Sequence, residues 1–403
     1  MSRDRVLPVV GVVVFALFVS LILLAAGSSL GYDYRCYEGA ARALTEGRPI
    51  YDNAFSINVG TCPGTYTYPP PFAVAMVPWL VLGDAAPAAW CVAMAVCFVA
   101  GAWLLPVRRD VRGWILILGA LDWPLLYAVK LGQVGPVLFL LFAVAWRAID
   151  RPGSASAAPP SPAARDDAPA ALTVGLAAGI GAIVKVQPAL LVVWALATHR
   201  YRAAAAAVGV AAAIALATLP FTGVGAWFTY ADLVRGLGGA FDTAHDFAPG
   251  AIAHMAGAGD LAATLVQAGS GIVAIGCLLL AWRYASPVAG FLVTIVASQV
   301  LSAPLRDHYA LLLLLPTAWL LERGRAWAAA IPLLGWISIL AFAAPANATT
   351  AQLATSFEGS SWPAAAVIPL TFFGCLAVLL IEAYFERPRS QRVPTGPGAM
   401  LGR

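Results

Sequence analysis

The sequence predicts an all-α integral membrane protein, a polytopic bundle of about twelve transmembrane helices. Composition, spacing and charge placement predict it. Hydrophobic residues make up 61% of the chain and charged residues 11%, less than half the roughly one quarter usual in soluble domains. Neither one core nor two could hide that much apolar surface in 403 residues. Apolar runs recur along the whole chain, and the basic residues gather at alternate breaks between them.

The first run, 6–30, follows Arg3 and Arg5. It is longer than the ~7–15 apolar residues of a signal peptide and long enough to cross a hydrocarbon layer of about 30 Å. It is predicted to be an uncleaved first span. Further apolar stretches predict helices at 85–105, 112–128, 133–149, 171–185, 187–199, 203–220, 261–282, 287–304, 309–321, 326–343 and 363–384. The run 69–82 has 14 residues, a length that suits a re-entrant or interfacial helix better than a span. Charge decides in favour of that reading. If 69–82 does not cross, 17 of the 24 basic residues fall on one side, which the positive-inside rule makes cytoplasmic. Both termini are then cytoplasmic, in the plasma membrane. Segments 31–68, 221–260 and 344–362 face outside.

The whole chain, 1–403, is expected to form one transmembrane domain. Residues 31–82 form an extracytoplasmic lip of interfacial and re-entrant helices. RPGSASAAPPSPAARDDAP, 151–169, is too rich in Pro, Ala and Ser to bury a core and is expected to be a disordered cytoplasmic linker. No internal repeat of the kind found in many transporters stands out. The net charge of +4 comes with no basic motif, so no nucleic acid partner is expected. Cys36 and Cys62 share an outer segment where a disulfide is permitted; two free thiols are the alternative. The other four cysteines lie in predicted spans.

Asp33 ends the first apolar run and precedes a predicted helix, 34–46. It suits an N-cap, and equally a base held at the membrane boundary. Tyr37, Ala41 and Leu44 recur at helical spacing, which predicts an amphipathic helix on the membrane surface. GRPIY, 47–51, ends it, and TYTYPPPF, 65–72, leads into the re-entrant run. Lys130 in YAVKLGQVGP, Lys185 in AIVKVQP, and Arg306 and His308 in APLRDHY fall at outer tips of short hairpins. Ionisable groups at membrane depth point to function, whereas snorkelling to the interface is the structural reading of the lysines. Cations of one sign around a carboxylate would suit an anionic lipid head such as a phosphate. His245 and His254, with Asp242 and Asp246, match no compact metal motif, and no metal is expected.

GYDYRCYEGAARALTEGRPIYD, TYPPPF, KLGQVGP, KVQP and the late DHY together resemble glycosyltransferase family 87, from about residue 31 to 320. These are polytopic GT-C enzymes, typified by actinobacterial mannosyltransferases that use polyprenyl-phosphate-mannose. The resemblance implies that Asp33 is the catalytic base and that His308 helps hold or activate the reacting groups. It places Lys185 at the donor phosphate, where the reading of the outer cations also puts Arg306 and Lys130. Tyr37, Tyr68 and Gln133, within the same motifs, are expected to meet substrate. Family members often carry Asn where this chain has Gly135. The implied reaction moves a sugar, with mannose expected, from a polyprenyl-phosphate donor to a glycolipid such as a phosphatidylinositol mannoside or lipomannan. It inverts the anomeric centre and uses no cofactor. A transporter or flippase of a lipid-linked sugar is the competing reading. It would call for polar groups near the midplane and paired broken helices, of which the sequence shows few.

Overall fold

A computed structural model describes residues 3–51, 66–150, 168–237, 246–302, 304–341 and 361–386. Among them there are helices and no strands. Helix α1 (Arg3–Ala26) is followed by α2 (Tyr32–Thr45) and α3 (Pro70–Met76). A 3₁₀ segment, Val77–Ala85, leads into α4 (Ala86–Leu104). Then come α5 (Arg109–Leu121), α6 (Trp123–Leu131), α7 (Gly135–Ile149), α8 (Ala168–Val184) and α9 (Leu190–Ala197). The rest is α10 (Tyr201–Leu237), α11 (Pro249–Met255), α12 (Asp260–Tyr284), α13 (Pro287–Val300), α14 (Leu314–Glu322) and α15 (Trp362–Phe385).

Five helical stretches among the described residues are long and apolar enough to cross a membrane, and six if α5 and α6 count as one bent span. The other predicted spans are helical but shorter, including α7, α8, α13 and the 3₁₀ segments Ala326–Ala330 and Pro332–Ala341. Leu24 is 83% exposed and Val81 86%. Apolar side chains left this open belong against lipid rather than water. Small residues let helices approach closely, as membrane bundles require when lipid competes for every apolar face. A Cβ on Gly179 of α8 would stand 2.5 Å from the Ala207 carbonyl of α10.

One expectation needs correction. The helix predicted over 112–128 is two, bent by 67° at Asp122. Asp122 is fully buried and its Oδ2 accepts from Leu125 N at 3.2 Å, so an acidic cap with Pro124 behind it starts a new helix. Among the described residues of the segment expected outside, 221–260, α10 runs on to Leu237 past a break at Gly223, and α11 follows. The predicted linker 151–169 overlaps α8, which starts at Ala168; residues 151–167 lie outside the described residues. The run 69–82 forms α3 and the 3₁₀ segment, broken from α4 at Gly83 (φ 51°, ψ −131°).

The bundle has two distinct ends. One gathers the junctions between α4 and α5, after α14, and at the close of α15. There Arg325 pairs with Glu382 at 2.8 Å, Arg323 with Glu386, and the Arg108 amide donates to Glu322 at 2.9 Å. The other gathers the starts of α2 and α7, the close of α8, and residues 305–308.

Candidate active site

Helix α2 begins one turn after the first span. Its cap is Gly31, in the left-handed region at φ 64°, whose N–H donates to Lys130 O at 2.9 Å. Asp33 is therefore not the N-cap allowed by the sequence. It sits in the first turn, where the helix dipole favours a negative charge, and its side chain points into the protein. Tyr34, Tyr37, Ala40 and Ala41 are buried beneath it, the inner face expected from the spacing of Tyr37 and Ala41.

Helix α6 brings the second partner. Its C-terminus is closed by two bonds, Gly132 N to Val129 O at 3.1 Å and Gln133 N to Ala128 O at 2.8 Å. This Schellman arrangement needs a left-handed residue, and Gly132 supplies it at φ 75°. A Cβ there would lie 2.9 Å from Trp90 Cδ1 and 3.1 Å from Tyr34 Cβ. Trp90 Nε1 locks the turn by donating to Gly132 O at 2.7 Å. The chain reverses within three residues and presents Gln133 to α2. Gly135 lies against Leu311: a Cβ would stand 2.5 Å from Leu311 Cδ2.

Gln133 joins three of the predicted residues. Its Nε2 donates to Asp33 Oδ2. Its Oε1 accepts from Tyr68 Oη at 2.7 Å, and Tyr68 Oη accepts from Tyr37 Oη at 2.8 Å. Tyr37 and Tyr68 pack edge to face, with centroids 4.8 Å apart, beside Phe72. The aromatic lip is a packed layer.

Cations complete the end. Lys185 Nζ stands 3.5 Å over the Tyr309 ring, a cation–π contact. Arg306 precedes a 3₁₀ turn, Asp307–Leu313. Asp307 Oδ1 accepts from the His308 amide at 2.8 Å and lies 3.5 Å from His308 Nδ1. His308 Nε2 is buried without a hydrogen-bond partner among the described residues. The turn is clasped from outside. Leu305 N donates to Asp246 Oδ1 at 3.0 Å, and Leu305 O accepts from Phe247 N at 2.7 Å.

Asp33 is partly accessible but ringed by protein. Burial pushes its carboxyl up to about 6, while the Gln133 hydrogen bond and the fields of Arg306 and Lys185 pull it down; Asp307 adds to the rise. It is mostly ionised at neutral pH. Burial lowers the His308 imidazole to about 4 despite the opposing hydrogen bond and charge of Asp307, so it is neutral there. Burial raises Asp246, against its two backbone hydrogen bonds and Arg306.

Asp33, Tyr37, Tyr68, Gln133, Lys185, Arg306 and His308 thus come to one end. Lys130 contributes its carbonyl to Gly31, while its ammonium lies 5.7 Å from the Tyr127 ring. Cys36 is disulfide-bonded; Cys62, the partner considered for it, lies outside the described residues, as do His245 and Asp242. His254 lies 3.4 Å from Asp260. Among the described residues no three His, Cys, Asp or Glu side chains group to hold a metal. Asp307, Asp246 and Tyr309 were missed as members of this end. Asp307 is legible in RDHY, between Arg306 and His308.

Such an end offers a base, a neutral imidazole and a positive field for an anion. No curated protein and no solved structure matches the chain. A family model described as glycosyltransferase family 87 matches residues 66–304. That stretch carries Tyr68, Lys130, Gln133 and Lys185, while Asp33, Tyr37, Arg306 and His308 flank it. With more than half of its length matched and the helical membrane architecture expected, the chain belongs to glycosyltransferase family 87.

Proposed function

We propose that this glycosyltransferase moves mannose from a polyprenyl-phosphate donor to a glycolipid acceptor on the extracytoplasmic face, with Asp33 as general base. The observation that carries the reading is the meeting of a partly accessible Asp33 with Lys185 and Arg306 at one end of the bundle. The acceptor hydroxyl oxygen attacks the anomeric carbon and gives its proton to Asp33. The bond from that carbon to the phosphate oxygen breaks, and its electron pair leaves with the phosphate. Lys185 and Arg306 stabilise the growing charge, and neutral His308 can donate or accept through one nitrogen. Attack opposite the leaving group inverts the centre. A monophosphate leaving among fixed cations calls for no metal.

A largely apolar groove of about 320 Å³ supports a lipid-linked donor. Leu44 and Thr45 of α2, Val74, Val77 and Pro78 beside α3, and Phe221 of α10 line it. An isoprenoid chain buried there would tether the head group at the membrane boundary.

The test is transfer of labelled mannose from polyprenyl-phosphate-mannose to a mixture of phosphatidylinositol mannosides and lipomannan, with EDTA present. Wild type is expected to form labelled glycolipid, and Asp33→Asn to do so about 10³-fold more slowly while folding normally. Equal rates would remove Asp33 from the chemistry. Movement of the donor across proteoliposomes with no glycosidic product would favour a transporter.

A further inference from the structure

We infer that Gln133 is a positioning residue that holds Asp33 in its ionised, accepting orientation, and that it does not read substrate. The inference rests on Asp33 being the base. Both ends of the Gln133 amide are committed: Nε2 to Asp33 Oδ2, and Oε1 to Tyr68 Oη at 2.7 Å. Gln133 is 7% exposed, so it presents little to a ligand.

The polarity of the hydrogen-bond chain follows from charge. A carboxylate can only accept, so the amide must turn its NH₂ to Asp33 and its oxygen to Tyr68. Tyr68 must then donate to that oxygen, which leaves its own oxygen to accept from Tyr37, at 2.8 Å. Every donor in the series points toward Asp33. A protonated Asp33 would still accept through its carbonyl oxygen, but a hydrogen bond to the carboxylate is the stronger one, so the series favours the charged base. The Schellman turn at Gly132 and the Trp90 clamp fix the amide backbone, and the Tyr37–Tyr68 pair braces its oxygen.

Other groups act on the same carboxyl. Lys185 and Arg306 favour its charge and Asp307 opposes it. The phenols of Tyr32 and Tyr37 on α2, Tyr68 before α3 and Tyr127 on α6 also face it. Of these, Gln133 makes the direct hydrogen bond, so its removal should register as a change in titration.

The experiment is the pH profile of kcat/KM for mannosyl transfer by the full-length protein, which reports the free enzyme's groups. In wild type the rate should rise through a limb near pH 6, and His308, already neutral, should add no limb above it. Gln133→Met keeps the volume and loses the donor; the limb is expected to move up by about one pH unit, with acceptor KM little changed. Tyr68→Phe loses only the phenol that orients the amide and should move the limb the same way by less; it decides the matter should Gln133→Met fail to fold. An unmoved limb with a raised acceptor KM would overturn the inference and make Gln133 a substrate contact. Asp33→Asn is measured alongside: if it stays active the base reading fails, whereas an inactive Asp33→Asn with an unmoved Gln133→Met limb sinks only the positioning role.

Discussion

The two ends of the bundle use the same kinds of residue to opposite effect. At one, arginines and glutamates pair across helix ends, as in Arg325–Glu382 at 2.8 Å and Arg323–Glu386, all partly exposed. At the other, Asp33, Lys185, Arg306, Asp307 and His308 are drawn in among aromatic rings, and Asp33 takes its hydrogen bond from a neutral amide. Charges paired in the open are screened by water and contribute little. Charges held in by protein perturb one another and are available to a ligand. The difference teaches that where charge sits, more than how much of it there is, separates the end proposed for the chemistry from the other.

The comparison breaks most readily at the cations. Arg306→Gln and Lys185→Gln should each cut the proposed mannosyl transfer by about 10²-fold, because each removes a charge placed where the leaving phosphate would develop its own. The acid limb should also rise, since both cations hold the Asp33 carboxyl down. Wild-type rates in both variants would mean that neither cation meets the leaving phosphate.

Much of this contrast was legible in the sequence. Apolar runs long enough for helices marked the bundle, and Asp33, Lys185, Arg306 and His308 stood out because charge is rare in such a chain. The Gln133–Asp33 bond was not legible. It depends on a turn in which Gly132 adopts φ 75° and on Trp90, 42 positions away in sequence, closing that turn. The bend at Asp122 was hidden for a related reason: a lone acid inside an apolar run reads as an interruption or as a cap, and only packing chooses. Asp246 looked like a loop carboxylate near histidines, yet its oxygen accepts the amide of Leu305, a pairing between distant segments that local pattern does not encode.

A backbone comparison sharpens the same point. Gly132 and Gly324 both sit past a helix end in the left-handed region, at φ 75° and 76°. Around Gly132 a methyl group would meet Trp90 and Tyr34; around Gly324, at the ion-paired end, it would meet nothing within 4 Å. Gly324→Ala should cost only the left-handed penalty, about 1–2 kcal/mol. Gly132→Ala should cost more, and should lower transfer as well by displacing Gln133. Thermal unfolding in detergent, with activity on the same samples, checks both. Equal losses at the two positions would show that the site end is no more tightly built than the other.

The smallest effect is expected at the paired end itself. Glu386 accepts from Arg323 and, at 2.9 Å, from Ser286 Oγ, tying the close of α15 to the start of α13. Glu386→Gln keeps an oxygen for one of these donors and loses the charge. With side-chain exposures of 31% and 28%, solvent screens the pair, and the cost should stay under about 1 kcal/mol. Transfer should remain within about twofold, since the charge sits where exposed pairs contribute little. A fall comparable to that of Arg306→Gln would mean that the clamp on α13 sets the position of residues 305–308, which follow that helix. The two ends would then be coupled through α13 instead of acting separately.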